Sequence, residues 1–194
     1  RSTQGVSSAA SDVYKRQPGE KVKPLTEQVV EFIKLRFRNL LLDQKLRYDV
    51  VDAAMADTRN TDLYDIAQRA QALQGFVAEA KAADSIQAAT RVNNLSGKVE
   101  VEVPINETLF REEAERALYA VVKKLDTELI AADTRCDYAG ALALLAELNG
   151  PVNRFFDDVM VMDKEESVKK NRLALLSAVR DIMNNVGDLS KIVM

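Results

Sequence analysis

The sequence predicts an all-α protein, a helical bundle of about eight helices. Three observations indicate this fold class. Apolar residues recur at helical spacing from residue 24 onward, Gly (7) and Pro (4) are scarce, and strand-like alternation occurs at one place only. The 194 residues are enough for one domain with a sizeable core. We therefore predict one helical domain over residues 24–194.

Residues 1–23 are predicted to form a flexible leader. Their only sizeable apolar side chains are Val6, Val13, Tyr14 and Val22, which lie among Ser, Gln, Gly and charged residues. Such a segment can bury little apolar surface, and disorder concentrates at exposed termini. We interpret it either as a cloning-derived extension or as the junction with an upstream region.

Four helices are predicted in the first half of the domain. They cover residues 25–42, 49–57, 62–80 and 85–95. The apolar stripe of the first consists of Val29, Phe32, Ile33, Phe37 and Leu40. Thr61 and Asp62 give the third helix its capping signal, and Gly97 suits the C-cap of the fourth. The alternating KVEVEVP at residues 98–104 predicts an edge strand or an extended linker that Pro104 ends.

Four more helices are predicted in the second half. They cover residues 108–131, 138–148, 151–162 and 165–188. Asn106 is the cap candidate of the fifth helix, and Gly150-Pro151 ends the sixth and begins the seventh. In the run FFDDVMVM, the apolar residues fall on one helical face with Met160 and Met162 at its edges. We therefore predict that this run packs in the core and is not a binding surface.

The absence of histidine excludes the largest number of functions. It removes His-ligated metal sites, Ser-His-Asp and Cys-His catalysis, and the Glu-x-x-His pairs of a di-iron bundle. The single cysteine, Cys136, can form neither an internal disulfide nor a Cys-rich zinc site. No Gly-rich phosphate loop occurs. The adjacent carboxylates at residues 157–158 and 165–166 point about 100° apart on a helix, so neither pair has the spacing of a catalytic acid/base pair. We predict no catalytic residue and no metal site.

The charge and hydropathy patterns restrict the class of partner. The formal net charge is −3 and the pI about 5.2, so nucleic-acid binding would have to come from local patches. No apolar run approaches the roughly 18 residues of a transmembrane helix, and the N-terminus lacks the apolar core of a signal peptide. We expect a soluble cytoplasmic protein that binds neither membranes nor DNA.

Two arginines lie within apolar faces. Arg36 lies in the stripe of the first helix and Arg172 in that of the eighth, whereas Arg38 and Arg47 lie on the polar side of the first region. A buried guanidinium needs a partner, either a carboxylate of the bundle or a ligand phosphate or base edge. The candidate carboxylates are Asp49, Asp52 and Asp158.

Five blocks of sequence resemble the C-terminal part of the bacterial glycyl-tRNA synthetase beta subunits. They are KLRFRNLLLDQKLRYDVVDAAMA (34–56), ATRVNNL (89–95), PVNRFFDDVMVM (151–162), NRLALL (171–176) and VGDLSKI (186–192). The resemblance covers residues 24–194. RYDVVDA is also typical of the helical anticodon-binding domain of arginyl-tRNA synthetases, whereas the ending VGDLSKIVM favours the glycyl family.

The resemblance implies a DALR-type domain that binds the anticodon arm of glycine tRNA and contains no active site. The candidate tRNA-binding residues are Arg36, Arg38, Arg47, Arg91 and Arg172. The alpha subunit of the same enzyme is the implied protein partner, and ATP and Mg belong to the whole enzyme and not to this part of it. Three alternatives stay open: an arginyl-type anticodon domain, a helical protein-interaction module, and an ATP-binding enzyme fragment, which the missing phosphate loops disfavour.

Overall fold

The computed structural model describes residues 24–96 and 103–194, which contain eight α-helices. The helices are α1 (Leu25–Asp43), α2 (Tyr48–Ala54), α3 (Leu63–Phe76), α4 (Ala82–Ser96), α5 (Glu113–Thr134), α6 (Tyr138–Leu145), α7 (Asn149–Asp158) and α8 (Glu166–Met183). Three 3-10 turns accompany them, at Glu107–Leu109, Ala146–Leu148 and Leu189–Lys191. These two ranges contain no strand, so the all-α prediction is confirmed. The predicted leader and most of the alternating KVEVEVP lie outside the described residues.

The core forms where α4, α5 and α8 meet. Helix α4 packs along α8, α5 packs against α6, α7 and α8, and α2 pairs with α3. The C-terminal 3-10 turn lies between α2 and α4 and joins the two halves. The large side chains at the centre are fully buried, among them Leu118, Leu125, Phe155, Leu175 and Leu176. No helix of the described part is both long enough and apolar enough to span a membrane.

The predicted fifth helix is in fact a 3-10 turn followed by a later helix. Asn106 does act as a cap, because its side chain accepts a hydrogen bond from the Thr108 backbone, but it caps only the short turn. The chain then extends at Phe110, whose side chain is buried. Helix α5 restarts where a Glu115 carboxylate oxygen accepts the backbone N–H groups of Arg111 and Glu112, both at 2.8 Å. The continuous helical periodicity of residues 108–131 therefore did not reveal the break in the helix at the buried Phe110.

The run FFDDVMVM is helical only in its first half. Helix α7 ends at Asp158, and Val159 has extended dihedrals (φ −118°, ψ 121°). Val159 and Val161 are buried, whereas Met160 and Met162 are exposed, which is the alternation of an extended chain. The prediction that both methionines lie at the edge of a core face is therefore wrong. The carbonyl of Met160 accepts a hydrogen bond from Arg172, and this bond helps to hold the extended segment.

Helix α1 differs most from expectation. Its predicted apolar stripe is largely solvent-exposed, with Phe32 at 57%. The helix contacts α2 and α3 through its C-terminal half, where Leu41 is buried and Phe37 is half-buried. Arg36, predicted to lie among buried apolar residues, is consequently exposed. Periodicity identified an amphipathic helix correctly, but it carried no information on whether a neighbour covers the apolar face.

Candidate nucleic-acid interface

Arg38 joins the first two helices. Its Nε and Nη2 donate to the two carboxylate oxygens of Asp52 on α2, at 2.6 and 3.0 Å. This two-point geometry is the strong form of an Arg–carboxylate pair, and both side chains remain partly exposed. The hydrogen bond with Asp52 raises the pKa of Arg38 against the opposing effect of burial. The pair fixes the guanidinium at the surface and neutralises most of its charge.

Arg47 forms a second pair at the start of α2. Its Nη2 lies 2.6 Å from a carboxylate oxygen of Asp49, and Nε lies 3.1 Å from the other. Asp49 is buried and also accepts the backbone N–H of Val193 at 2.9 Å. Burial works to raise the pKa of Asp49, but the hydrogen bonds from Arg47, Val193 and Val50 hold it below its usual value. The C-terminal segment is thereby fastened to the N-terminus of α2.

These two ion pairs surround a shallow opening that we call the α2 depression. It has a volume of about 480 Å³ and is lined by Arg38, Tyr48, Asp49, Asp52, Met55 and Lys191. Tyr48 presents an exposed ring, and Lys191 has no ion pair with any residue of the described ranges. The lining holds two cations, Arg38 and Lys191, and two carboxylates, Asp49 and Asp52, and Arg47 outside the lining pairs with Asp49. The depression therefore combines one cation that is unpaired among the described residues, Lys191, with an aromatic surface.

Arg36 lies outside the α2 depression, on the exposed side of α1. Its guanidinium carbon is 5.2 Å from the ring centre of Phe32, one turn earlier. No carboxylate in the described part of the chain pairs with it. Arg36 thus keeps its full charge at the surface, in contrast to Arg38 two residues later.

Arg91 lies on α4 and contacts α7. Its guanidinium carbon is 4.5 Å from the ring centre of Phe156, and its Nη1 donates to Oδ1 of Asn153 at 3.1 Å. The hydrogen bond is at the solvent-exposed surface. Residues 24–96 and 103–194 place no carboxylate against Arg91. We call the group formed by Arg91, Asn153 and Phe156 the Arg91 platform.

Arg172 is buried inside the bundle. Its Nε donates to Glu115 and its Nη1 donates to both Asp163 and the Met160 carbonyl, each at 2.9 Å. The sequence left open whether Arg172 binds a carboxylate of the bundle or a ligand. Its partners are carboxylates, but they are Glu115 and Asp163 and not one of the predicted candidates Asp49, Asp52 and Asp158. Because its guanidinium is buried and already bound to three acceptors, Arg172 stabilises the fold and is not placed to contact RNA.

Sequence reasoning missed four polar or aromatic residues of these surfaces: Tyr48, Asn153, Phe156 and Lys191. Tyr48 had a detectable signal, since it follows Arg47 directly and belongs to no apolar stripe. Lys191 lies in the C-terminal motif, but only the fold brings it beside α2. Phe156 was assigned to the core, where Phe155 is the buried ring of the two.

Another opening among the described residues has a different character. It measures about 550 Å³, and its lining includes four aspartates (Asp57, Asp133, Asp181 and Asp188) and two arginines, Arg59 and Arg69, neither of which is among the five candidates. Arg59 pairs with Asp57 and Arg69 with Asp133, so the other two aspartates leave the lining net acidic, which does not favour binding of a polyanion. Among the described residues, no group of three or more His, Cys, Asp or Glu side chains is arranged to hold a metal ion.

Comparison with known proteins identifies relatives over most of the chain. Residues 85–194 match the family model described as the DALR anticodon binding domain. The matched region contains Arg91, the rest of the Arg91 platform and Lys191, whereas Arg36, Arg38 and Arg47 precede it.

Curated relatives extend the similarity toward the N-terminus. The glycine–tRNA ligase beta subunit of Desulforudis audaxviator is 41% identical over 164 residues, which cover 84% of this chain and 24% of the relative. The beta subunit of Shewanella halifaxensis is 41% identical over 168 residues, with coverages of 86% and 24%. That of Clostridioides difficile is 38% identical over 169 residues, with coverages of 87% and 24%. The chain thus spans about a quarter of the length of these relatives.

Proposed function

The chain belongs to the DALR anticodon-binding domain family, and from this premise we propose that it binds the anticodon arm of a glycine tRNA as part of a glycine–tRNA ligase beta subunit. The observation that carries the proposal is the α2 depression. Arg38 and Lys191 line it together with the exposed Tyr48, and Arg47 precedes Tyr48 in the chain. Single-stranded RNA is recognised by stacking of unpaired bases on aromatic rings together with cationic contacts to phosphates. The α2 depression offers both.

A net-acidic domain can hold RNA only through such local features. The formal charge of −3 gives no long-range attraction, and the carboxylates of Asp49 and Asp52 offset two of the nearby arginines. Lys191 is the cation of the depression that no carboxylate of the described residues neutralises. We therefore expect modest affinity, with Tyr48 contributing by stacking and Lys191 by contact with a phosphate.

The role in the whole enzyme follows from the same proposal. The chain would support ATP-dependent aminoacylation of glycine tRNA in the cytoplasm, with adenylation carried out by the alpha subunit. ATP and Mg²⁺ would then bind outside this chain. The 194-residue protein alone should show no glycine-dependent exchange between ATP and pyrophosphate, and exchange by the purified chain would contradict this assignment.

Titration of the protein with tRNA tests the proposal. Electrophoretic mobility shifts with a glycine tRNA transcript are compared with shifts using the same transcript carrying an altered anticodon. We expect tighter binding of the unaltered transcript. Tyr48→Ala should weaken binding by about 1–3 kcal/mol if a base stacks on the ring. Equal binding of both transcripts, or no binding of either, would refute anticodon recognition.

Two control variants separate the α2 depression from general surface effects. Tyr64→Ala removes a tyrosine that is also exposed but does not line the depression. Lys164→Ala removes an exposed lysine of the loop between α7 and α8, matched to Lys191→Ala. Lys191→Ala should reduce the salt dependence of binding, since one phosphate contact is lost, and both controls should bind as the unaltered protein does.

The exposed apolar face of α1 favours a second candidate function, contact with another protein. Leu25, Val29, Phe32, Ile33 and Leu40 are all exposed on one helix. Clustered apolar exposure of this kind is typical of interaction sites. The resemblance makes the alpha subunit the partner to test: Phe32→Ser should weaken its association without affecting tRNA binding. Unchanged association would remove this candidate.

A further inference from the structure

Arg91 is held differently from most other arginines of the protein. Most arginines of the described ranges form ion pairs with carboxylates, as Arg38 does with Asp52 and Arg154 with Asp158. Arg91 instead lies over the ring of Phe156 and hydrogen-bonds to a neutral amide, that of Asn153. An aromatic ring and an amide hold a guanidinium in place without cancelling its charge. The arrangement is therefore suited to a ligand that needs both a flat surface and hydrogen-bond donors.

The Arg91 platform rests on a rigid base. Phe156 packs edge-on against Phe155, with ring centres 5.7 Å apart, and Phe155 is fully buried. A guanidinium positioned by a fixed ring loses little conformational freedom when a ligand binds. The guanidinium carbon lies 4.5 Å from the centre of the Phe156 ring, and the hydrogen bond between Arg91 and Asn153 is at the solvent-exposed surface. An unpaired base that approaches from solvent can therefore stack on the guanidinium, as bases do on arginine planes in RNA complexes.

The hydrogen-bonding groups of the platform select among the bases. Oδ1 of Asn153 is occupied by Arg91, which leaves the Asn153 amide N–H groups and the remaining guanidinium N–H groups as donors. Only two bases present adjacent acceptors along one edge. They are cytosine, with N3 and O2, and guanine, with O6 and N7, whereas adenine and uracil alternate donors and acceptors there.

We propose that Arg91, Asn153 and Phe156 form a base-reading site that takes one unpaired cytosine or guanine, stacked on the Arg91 guanidinium and bound at its acceptor edge. This inference rests on the proposed function, because the base is expected in the anticodon loop of the bound tRNA. It assigns to α4 and α7 a role in base selection that is separate from the phosphate and stacking contacts of the α2 depression.

A set of transcripts and one conservative variant test the site. Each cytosine and guanine of the anticodon loop is replaced singly, cytosine by uracil and guanine by adenine, and binding is measured for the unaltered protein and for Arg91→Lys. The unaltered protein should lose roughly 10-fold in affinity at one loop position. Arg91→Lys keeps the charge but loses the planar fork. It should bind the unaltered transcript roughly 10-fold more weakly and no longer discriminate at that position. If the affinity falls on replacement of a cytosine by uracil, the site takes cytosine. If it falls on replacement of a guanine by adenine, the site takes guanine.

Matched variants make the outcome decisive. Arg154→Lys changes an exposed arginine of α7 that pairs with Asp158, and it should bind like the unaltered protein. Asn153→Ala should reduce discrimination at the same loop position as Arg91→Lys, with no change in charge. Discrimination that Arg91→Lys leaves intact, or an equal loss on every transcript, would overturn the base-reading site while tRNA binding stands. If the unaltered protein binds no tRNA, the proposed function fails and the site fails with it.

Discussion

Arg172 on α8 and Glu115 on α5 form a buried ion pair, with Nε and Oε1 2.9 Å apart and side chains 4% and 0% exposed. The other carboxylate oxygen of Glu115 accepts the backbone N–H groups of Arg111 and Glu112. Arg172 in turn holds Asp163 and the Met160 carbonyl. One pair of side chains therefore fixes the start of α5, the extended segment after α7 and the core face of α8.

Removal of Arg172 should destabilise the protein strongly. Arg172→Ala leaves the Glu115 carboxylate buried without its charged partner, which typically costs about 3–5 kcal/mol. Urea unfolding followed by circular dichroism measures the loss. Arg111→Ala is the control, because Arg111 pairs with Glu165 at the surface, where such pairs contribute under about 1 kcal/mol. A loss below about 1 kcal/mol for Arg172→Ala would contradict the structural role.

Stability should fall in acid and change little near neutral pH. Burial acts to raise the pKa of Glu115, but hydrogen bonds from Arg172 and two backbone N–H groups hold it below the usual 4.5. A carboxyl with a lowered pKa in the folded state contributes stability that is present above about pH 4.5 and is lost as the pH falls through the folded-state pKa. The sequence has no histidine to titrate between about pH 5 and 8.

Melting temperatures from pH 2 to 8 check this dependence. Glu115→Gln is the informative comparison, since it removes the titrating group. That variant should be less stable at neutral pH and should lose less stability on acidification than the unaltered protein. An identical acid dependence in both proteins would show that Glu115 does not contribute to it.

Helical periodicity predicted the helices well, but it did not predict which of their apolar faces are buried by neighbouring helices. The same argument placed Arg36 and Arg172 inside apolar faces, and only Arg172 is buried. The difference lies in tertiary neighbours, because α8 packs against α4 and α5, whereas the buried residue of α1 in the described structure is Leu41, near the C-terminal end of that helix. Arg172 is paired with two carboxylates. Glu115 is 57 residues away in the sequence, and Asp163 lies in the loop before α8. Helical spacing cannot identify such partners.

The candidate surfaces were predictable only in part. Arg38, Arg47 and Arg91 do lie at the surface, but the sequence did not reveal that two of them are paired with carboxylates two or fourteen residues away. The partners of Arg91 come from another helix, α7. Local composition indicates where charge is dense. Which charges are neutralised depends on side-chain geometry that forms only in the fold.

Replacement of Lys45 by glycine should stabilise the protein. Lys45 has φ 68°, which glycine adopts without strain, and it occupies the position that follows the C-cap of α1. The backbone N–H of Lys45 bonds to the Leu42 carbonyl and that of Leu46 to the Leu41 carbonyl, which is the Schellman pattern. Lys45→Gly should raise the unfolding free energy by about 1 kcal/mol. Lys45→Ala retains the strain and should show no gain, and equal stability of both variants would argue against strain.

Replacement of Gly187 by alanine should destabilise the protein. A Cβ atom there would lie 2.9 Å from the Ala53 carbonyl oxygen and 2.9 Å from a methyl carbon of Leu73. The neighbouring Asp188 N–H bonds to that same carbonyl at 3.0 Å, so the backbone cannot move away freely. We expect a loss of about 1–3 kcal/mol by chemical denaturation. Gly75→Ala, at a position with open space in α3, should not destabilise. Similar losses for both would show that the close approach is not the cause.

Arg36 and Arg38 allow charge contact with RNA to be separated from structural pairing. Arg38→Ala strands the partly exposed carboxylate of Asp52, so it should lower stability modestly and weaken tRNA binding through the α2 depression. Arg36→Ala removes only an exposed contact with Phe32, worth about 0.5–1 kcal/mol, so the protein should stay folded and binding alone decides its role. Reduced affinity, with a smaller salt dependence, would place RNA along α1 as well as at α2. If Arg36→Ala binds normally and Arg38→Ala does not, the RNA contacts only the side of α1 that faces α2. If both Arg36→Ala and Arg38→Ala bind tRNA normally, neither arginine contacts the RNA, and Lys191 and the Arg91 platform are the remaining candidate contacts.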